Sequence, residues 1–241
     1  MSTVGESRFA STLDSLGLAI VTGELPAGHA DTIEGLVERA GASRSVVREA
    51  TRVLSALGML SAGRRVGLRV LPFEQWDTMD PLVIRWRLRS PGRIAQVLEL
   101  RDLRRAIEPE AAALAARRVA AGDAPLAAQE ALAHADRQLR AAAAGAGREM
   151  LPADAAAYLH ADSLLHAQVL ALSANAMFIR LRAVIEEGLR ERALHERIDL
   201  APEVHDVDLH SEVVRGIRAG APQAAAAAMR EIVERTGELE S

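Results

Sequence analysis

The 241-residue chain contains no cysteine and no lysine, and none of its apolar runs is long. The missing cysteines exclude disulfides and thiolate metal sites. A membrane span needs ~20 consecutive apolar residues, and no stretch approaches that. The amino terminus, Met-Ser-Thr-Val-Gly-Glu-Ser-Arg, lacks the apolar core of a signal peptide. The expectation is therefore a cytoplasmic protein with no membrane partner. All 29 basic residues are arginine, the better bidentate partner for carboxylate and phosphate, although a chain so rich in Ala and Arg chiefly reflects nucleotide composition. What is present is 49% hydrophobic content and a net charge of −4, a length and composition that suit two domains, each with its own core.

The most informative segment is Gly41 to Gly58. Ser43 is placed to cap a helix and Gly58 to end it with positive φ. At 100° per residue, Arg44, Arg48 and Arg52 fall on one stripe and Val47, Ala50, Leu54 and Leu57 on the opposite one. Alone, that pattern describes any surface helix with a solvated basic face. It is followed, however, by Met59 to Val70, two short apolar runs around Gly63-Arg64-Arg65, which read as a β-hairpin. From Arg39 to Arg69 there are seven arginines against one acid, Glu49. Such a local excess matters more for phosphate contact than the net charge of the chain. A helix feeding into a basic hairpin looks like a winged helix-turn-helix.

Upstream, Phe9, Leu13, Leu16 and Ile20 share one helix face, Gly23 ends that helix, and Ile33, Leu36, Val37 and Ala40 face inward from a second. Three helices and a hairpin fill residues 8 to 71, and Pro72 marks the exit. Beyond it, helical stretches are expected at about 74 to 89, 93 to 120, 124 to 143, 153 to 172, 175 to 197, 203 to 219 and 222 to 237. Pro109 lies inside the second of these, where a kink or break is expected. The fold class is mainly α: a winged helix-turn-helix over residues 1–72, then an all-α helical bundle over 73–241, whose alanines allow close helix approach.

This order of elements resembles the GntR family of bacterial transcription regulators. The residues that carry the likeness are Ile20-Val-Thr-Gly23-Glu-Leu-Pro26-Ala-Gly28, Ser43-Arg44-Ser-Val-Val-Arg48-Glu49-Ala50, Leu57-Gly58-Met-Leu60 and Gly67-Leu-Arg-Val70. The helical part looks like the FadR-type ligand-binding (FCD) domain, through Arg104 to Ala116, Asp162-Ser-Leu-Leu-His166, Asn175 and His210 to Ile217. One departure is Glu34, which stands where the family usually has an arginine-bearing turn.

The resemblance implies a homodimer that binds double-stranded operator DNA and responds to a small carboxylate effector. Arg44 and Arg48 are placed to fork onto guanine, Arg52 onto phosphate, Ser43 and Ser45 to add hydroxyl contacts, and Arg64 and Arg65 to reach the minor groove or backbone. Asp162 and His166, one helical turn apart, can share a divalent metal such as zinc, nickel or manganese, with His210 completing the set. Ile232 stands where metal-binding FCD domains usually have a further histidine. Arg104 is expected to face the effector or pair with Glu108; Asn175 and Arg235 are the other effector-binding candidates. The segment Trp76 to Trp86 resembles regulators of sugar-acid catabolism, such as those for gluconate or galactonate, although both tryptophans also suit core anchors. The reading is a repressor and not an enzyme. The alternatives are a metal-dependent hydrolase using Asp162, His166 and His210, and a ligand-independent DNA-binding protein.

Overall fold

The structure, a computed structural model, describes residues 4–63, 67–145, 152–195 and 203–235. The chain divides into two compact units, Met1–Gln96 and Val97–Ser241.

The first unit begins with α1 (Val4–Val21), β1 (Ala30–Asp31), α2 (Ile33–Ala40) and α3 (Arg44–Ala56). Leu13, Leu16 and Ile20 of α1 are buried against Leu36 of α2 and Val47, Ala50 and Leu54 of α3. The helix ends follow local chemistry. The Thr32 hydroxyl accepts from Gly35 N–H at 3.0 Å, Gly41 turns left-handed, and Ser43 Oγ accepts from Val46 N–H at 3.4 Å. Gly58 takes φ +70°, and a Cβ there would lie 2.1 Å from the Gln75 carbonyl oxygen. This position therefore demands glycine for space as well as conformation.

Next come β2 (Leu60–Gly63) and β3 (Gly67–Val70), paired antiparallel as the hairpin pattern predicts. The strand β1 was not foreseen. It pairs with β3, Ala30 opposite Arg69 and Asp31 opposite Leu68, giving a three-stranded sheet of order β1-β3-β2. Two residues are too few to show a period of two. Arg64 and Arg65 lie outside the described residues.

The boundary expected at Pro72 differs from the division after Gln96. In place of one helix from 74 to 89 there are a 3₁₀ turn at Phe73–Gln75 and then α4 (Pro81–Leu88), capped by Asp80. Trp86 of α4 is fully buried in the core of α1 and α3, and its indole N–H donates to Asp14 at 2.7 Å. Arg89 binds the other oxygen of the same carboxylate at 2.6 Å. A Cβ on Gly17 would lie 2.4 Å from the indole, so the ring occupies space that only glycine leaves. Trp76 packs on the same core and donates to the Leu71 carbonyl at 2.9 Å. Both tryptophans are thus core anchors of the first unit. Trp86→Ala is expected to cost about 3–5 kcal/mol, read as a lower urea midpoint for the first unit; a loss below about 1 kcal/mol would contradict this packing.

The second unit comprises all but the first four residues of α5 (Arg93–Ala120), then α6 (Leu126–Gly145), α7 (Pro152–Leu172), α8 (Ala176–Arg180), α9 (Arg182–His195), α10 (Val204–Arg218) and α11 (Pro222–Arg235). Its core joins Ala111, Ala112, Ala115 and Ala116 of α5 to Leu132 and Leu139 of α6, Leu165 of α7 and Met229 and Ile232 of α11. Small residues set the spacing: a Cβ on Gly216 would come within 2.8 Å of the Ala225 backbone. Pro109 does not break α5, which runs through it with the proline ring buried. The single hydrogen bond lost there is outweighed by packing on both sides. The expected helix from 175 to 197 is split, with α8 ending at Arg180 and α9 starting at Arg182. Among the described residues, no helix is long and apolar enough to cross a membrane.

Candidate functional site

Two groups of candidate residues meet very different environments. In the first unit, Ser43, Arg44, Ser45, Arg48 and Arg52 all stand exposed on α3. The apolar stripe of the helix is buried, so packing turns the arginine stripe to solvent. The Ser43 and Ser45 hydroxyls lie 3.0 Å apart, Arg44 reaches Glu34 of α2 at 2.5 Å, and Arg52 reaches Glu49 at 3.2 Å. Arg48 has no ion-pair partner among the described residues.

In the second unit, the metal-ligating candidates and Arg104 are buried. Asp162 and His166 sit one turn apart on α7, and α10 brings in His210; the three side chains are 6%, 1% and 0% exposed. One ligand atom from each lies within 4.8 Å of the others. Asp162 Oδ1 is 2.9 Å from His210 Nε2 and 3.5 Å from His166 Nε2, yet none of these three atoms makes a well-directed hydrogen bond. Buried polar atoms left this way are costly unless something else satisfies them.

The other nitrogen of each imidazole explains the arrangement. His166 Nδ1 contacts Glu108 of α5, and His210 Nδ1 donates to the Asp206 backbone carbonyl one turn earlier, at 2.6 Å. With Nδ1 engaged in this way, each imidazole turns Nε2 toward Asp162 Oδ1, the usual way in which outer partners orient metal-binding histidines. Asp206 is itself held by the Tyr158 hydroxyl, at 3.1 Å. The donor set, one carboxylate oxygen and two imidazole nitrogens, therefore fits a divalent transition metal. Ile232 is fully buried in the apolar core, so it supplies no fourth ligand.

Glu108 ties this cluster to a cation. Its second oxygen accepts from Arg104 Nε at 2.5 Å, with Arg104 only 3% exposed and Glu108 1%. Burial opposes the Glu108 charge, but Arg104 and His166 outweigh it and hold the carboxyl at about 2. Burial likewise opposes charge on His166, yet Glu108 and Asp162 raise it to about 9. Asp162 is held well below the usual carboxylate range against its own burial, by the two histidines. Arg104 keeps one nitrogen, Nη2, buried with no hydrogen-bond partner. A buried guanidinium donor left open has the chemistry to accept an anionic partner.

Two other sequence candidates have partners of their own. Arg235 is half-exposed and bound to Glu203 at 2.8 Å, so its charge is spent at the surface. Asn175 caps α8, its Oδ1 accepting from Met177 and Phe178 N–H. One partnership was missed. Glu108 was legible as the partner of Arg104 one turn away, but its contact with His166, 58 residues on, leaves no sequence signal.

The FCD-domain family model matches residues 99–235, which hold every member of the buried cluster. The chain belongs to the FCD-domain family. Over 113 residues, 45% of this chain and 48% of the relative, it is 34% identical to the galactonate operon transcriptional repressor of Escherichia coli K12. Over 81 residues, 34% of this chain and 35% of the relative, it is 35% identical to YieP, an uncharacterised HTH-type transcriptional regulator of the same organism. The matches thus span a third to a half of these curated relatives. Among solved structures it is similar to Escherichia coli McbR/YncC, with a TM-score of 0.52, 16% identity, and coverage of 98% of this chain and 95% of that one. The relatives are transcription regulators rather than enzymes, and a winged helix-turn-helix before an FCD domain is the GntR-type arrangement.

Proposed function

We propose that this FCD-domain protein is a ligand-responsive transcriptional repressor. It binds double-stranded operator DNA as a homodimer through α3 and the β2–β3 hairpin, and a small carboxylate entering the helical unit releases it. The observation that carries the reading is the buried pairing of an open Arg104 Nη2 with a carboxylate and two histidines whose facing atoms are unsatisfied. Arg104 would bind one end of the effector carboxylate while Glu108 holds the guanidinium in place. Asp162, His166 and His210 would hold the divalent ion, which when bound supplies a Lewis-acidic position for an effector oxygen. Likeness to the galactonate operon repressor favours a sugar acid. Effector binding must favour one conformation of the protein over another, since a ligand shifts an equilibrium only by its differential affinity.

Thermal unfolding against a panel of sugar acids, with and without chelator, tests the sensor. A sugar acid that raises the midpoint and also releases a bound duplex, both effects lost on chelation, is the expected result. A panel in which no sugar acid changes either would remove the effector class. On the DNA side, Arg48 is the recognition-helix arginine with no ion-pair partner among the described residues. Arg48→Ala is expected to weaken binding to a selected duplex by about 1–3 kcal/mol and to relax preference at one base pair. Fluorescence anisotropy across single-base variants checks this; equal loss at every sequence would reassign Arg48 to phosphate.

A further inference from the structure

Glu34 occupies the second position of α2, and its Oε1 lies 2.5 Å from Nη2 of Arg44, the first residue of α3. The two side chains are 61% and 68% exposed. An ion pair so exposed adds little to folding stability. Nor does Glu34 serve as the cap of α2. Thr32 Oγ1 takes the Gly35 N–H, and Asp31 Oδ1 takes the Thr32 N–H at 2.7 Å. A carboxylate beside the tip of a recognition helix also repels phosphate, lowering affinity for every sequence alike. Its effect on Arg44 is different in kind. A guanidinium has five N–H donors in one plane. With one Nη2 hydrogen held by Glu34, the other still pairs with a neighbouring N–H to form the two-donor edge that reads guanine O6 and N7.

We propose that Glu34 is a positioning residue for DNA reading, orienting Arg44 toward one guanine while penalising sequence-independent phosphate binding. The inference rests on the DNA-binding reading above. Glu34 acts through Arg44, whereas Arg48, with no ion-pair partner among the described residues, stays free to adapt. Raw affinity is thereby given up for sequence discrimination at one position of each half-site.

The test selects from a randomised duplex library with full-length wild type, Glu34→Ala, Arg44→Ala and the double variant, all checked for unchanged thermal midpoint. Glu34→Ala is expected to bind unselected duplex more tightly at low salt and to lose at least roughly tenfold discrimination at one base pair per half-site. Arg44→Ala should lose preference at the same base pair, and adding Glu34→Ala to it should change the selected motif no further. Glu34→Ala selecting the wild-type motif unchanged, or losing preference evenly over all positions, would overturn the proposal. A wild type that selects no motif overturns the DNA-binding reading itself, and this proposal with it, before any variant is compared.

Discussion

Glu108→Gln is expected to unfold at a far lower urea concentration than the wild type in the presence of chelator, a loss of about 3–5 kcal/mol, the cost of breaking a buried ion pair from one side. The carboxylate of Glu108 is the common counter-ion of Arg104 and His166, all three almost wholly buried. The amide keeps the shape and one acceptor but no charge. Arg104, which cannot lose its proton, is then left as an uncompensated cation in an apolar bundle. His166 loses the main group that raises its pKa, and it deprotonates nearer the ordinary value. The double variant Arg104→Met, Glu108→Gln should recover a substantial part of the loss, because it removes the stranded charge. A Glu108→Gln protein within about 1 kcal/mol of wild type would mean that Arg104 is solvated and is not the buried anion receptor proposed here.

His210→Ala is expected to abolish the metal response proposed for this site. For the wild type, zinc, nickel or manganese at ~100 times its dissociation constant adds ~2.7 kcal/mol. In the variant, two ligands remain, and the midpoint with metal should coincide with its own chelated midpoint, which keeps the result independent of any cost of the cavity. The wild-type response also has a defined pH dependence. His166 titrates at about 9 in the metal-free fold and ordinarily at 6.5. A raised value stabilises the metal-free fold fully below about 6.5, and that contribution is lost as the pH climbs through 9. A ligating imidazole must be neutral, so at neutral pH each ion that binds displaces a proton. The midpoint gap between metal-loaded and chelated protein should therefore widen from pH 6.5 to 9. Scanning calorimetry at matched free metal checks the trend; a gap that narrows over this range would exclude His166 as a ligand.

Some of this was legible one residue at a time. Capping at Ser43, the stop at Gly58, the buried and exposed faces of α3, and the one-turn spacing of Asp162 and His166 are all set by helix geometry acting over a few residues. Elements defined by distant partners were not. β1 is two residues long and exists because β3 offers it a free edge. Asn175 and Arg235 matched a family pattern, but the fold spends one on a helix cap and the other on Glu203. Trp86 extends the first unit beyond Pro72 because Gly17, 69 residues earlier, leaves room for its ring.

The sequence by itself determined the helical content, the arginine face, the hairpin and the one-turn spacing of Asp162 and His166, since each depends on periodicity or local capping within a few turns of chain, whereas His210 entered through the family resemblance. Only the tertiary structure decided that Glu108 joins Arg104 to His166, that His210 turns Nε2 and not Nδ1 toward Asp162, that Ile232 closes the core, and that Glu34 meets Arg44. These depend on which faces of separate helices are brought together. That choice is made by burial of apolar surface over the whole unit, and the charged groups are then oriented by whatever partners the packing leaves within reach.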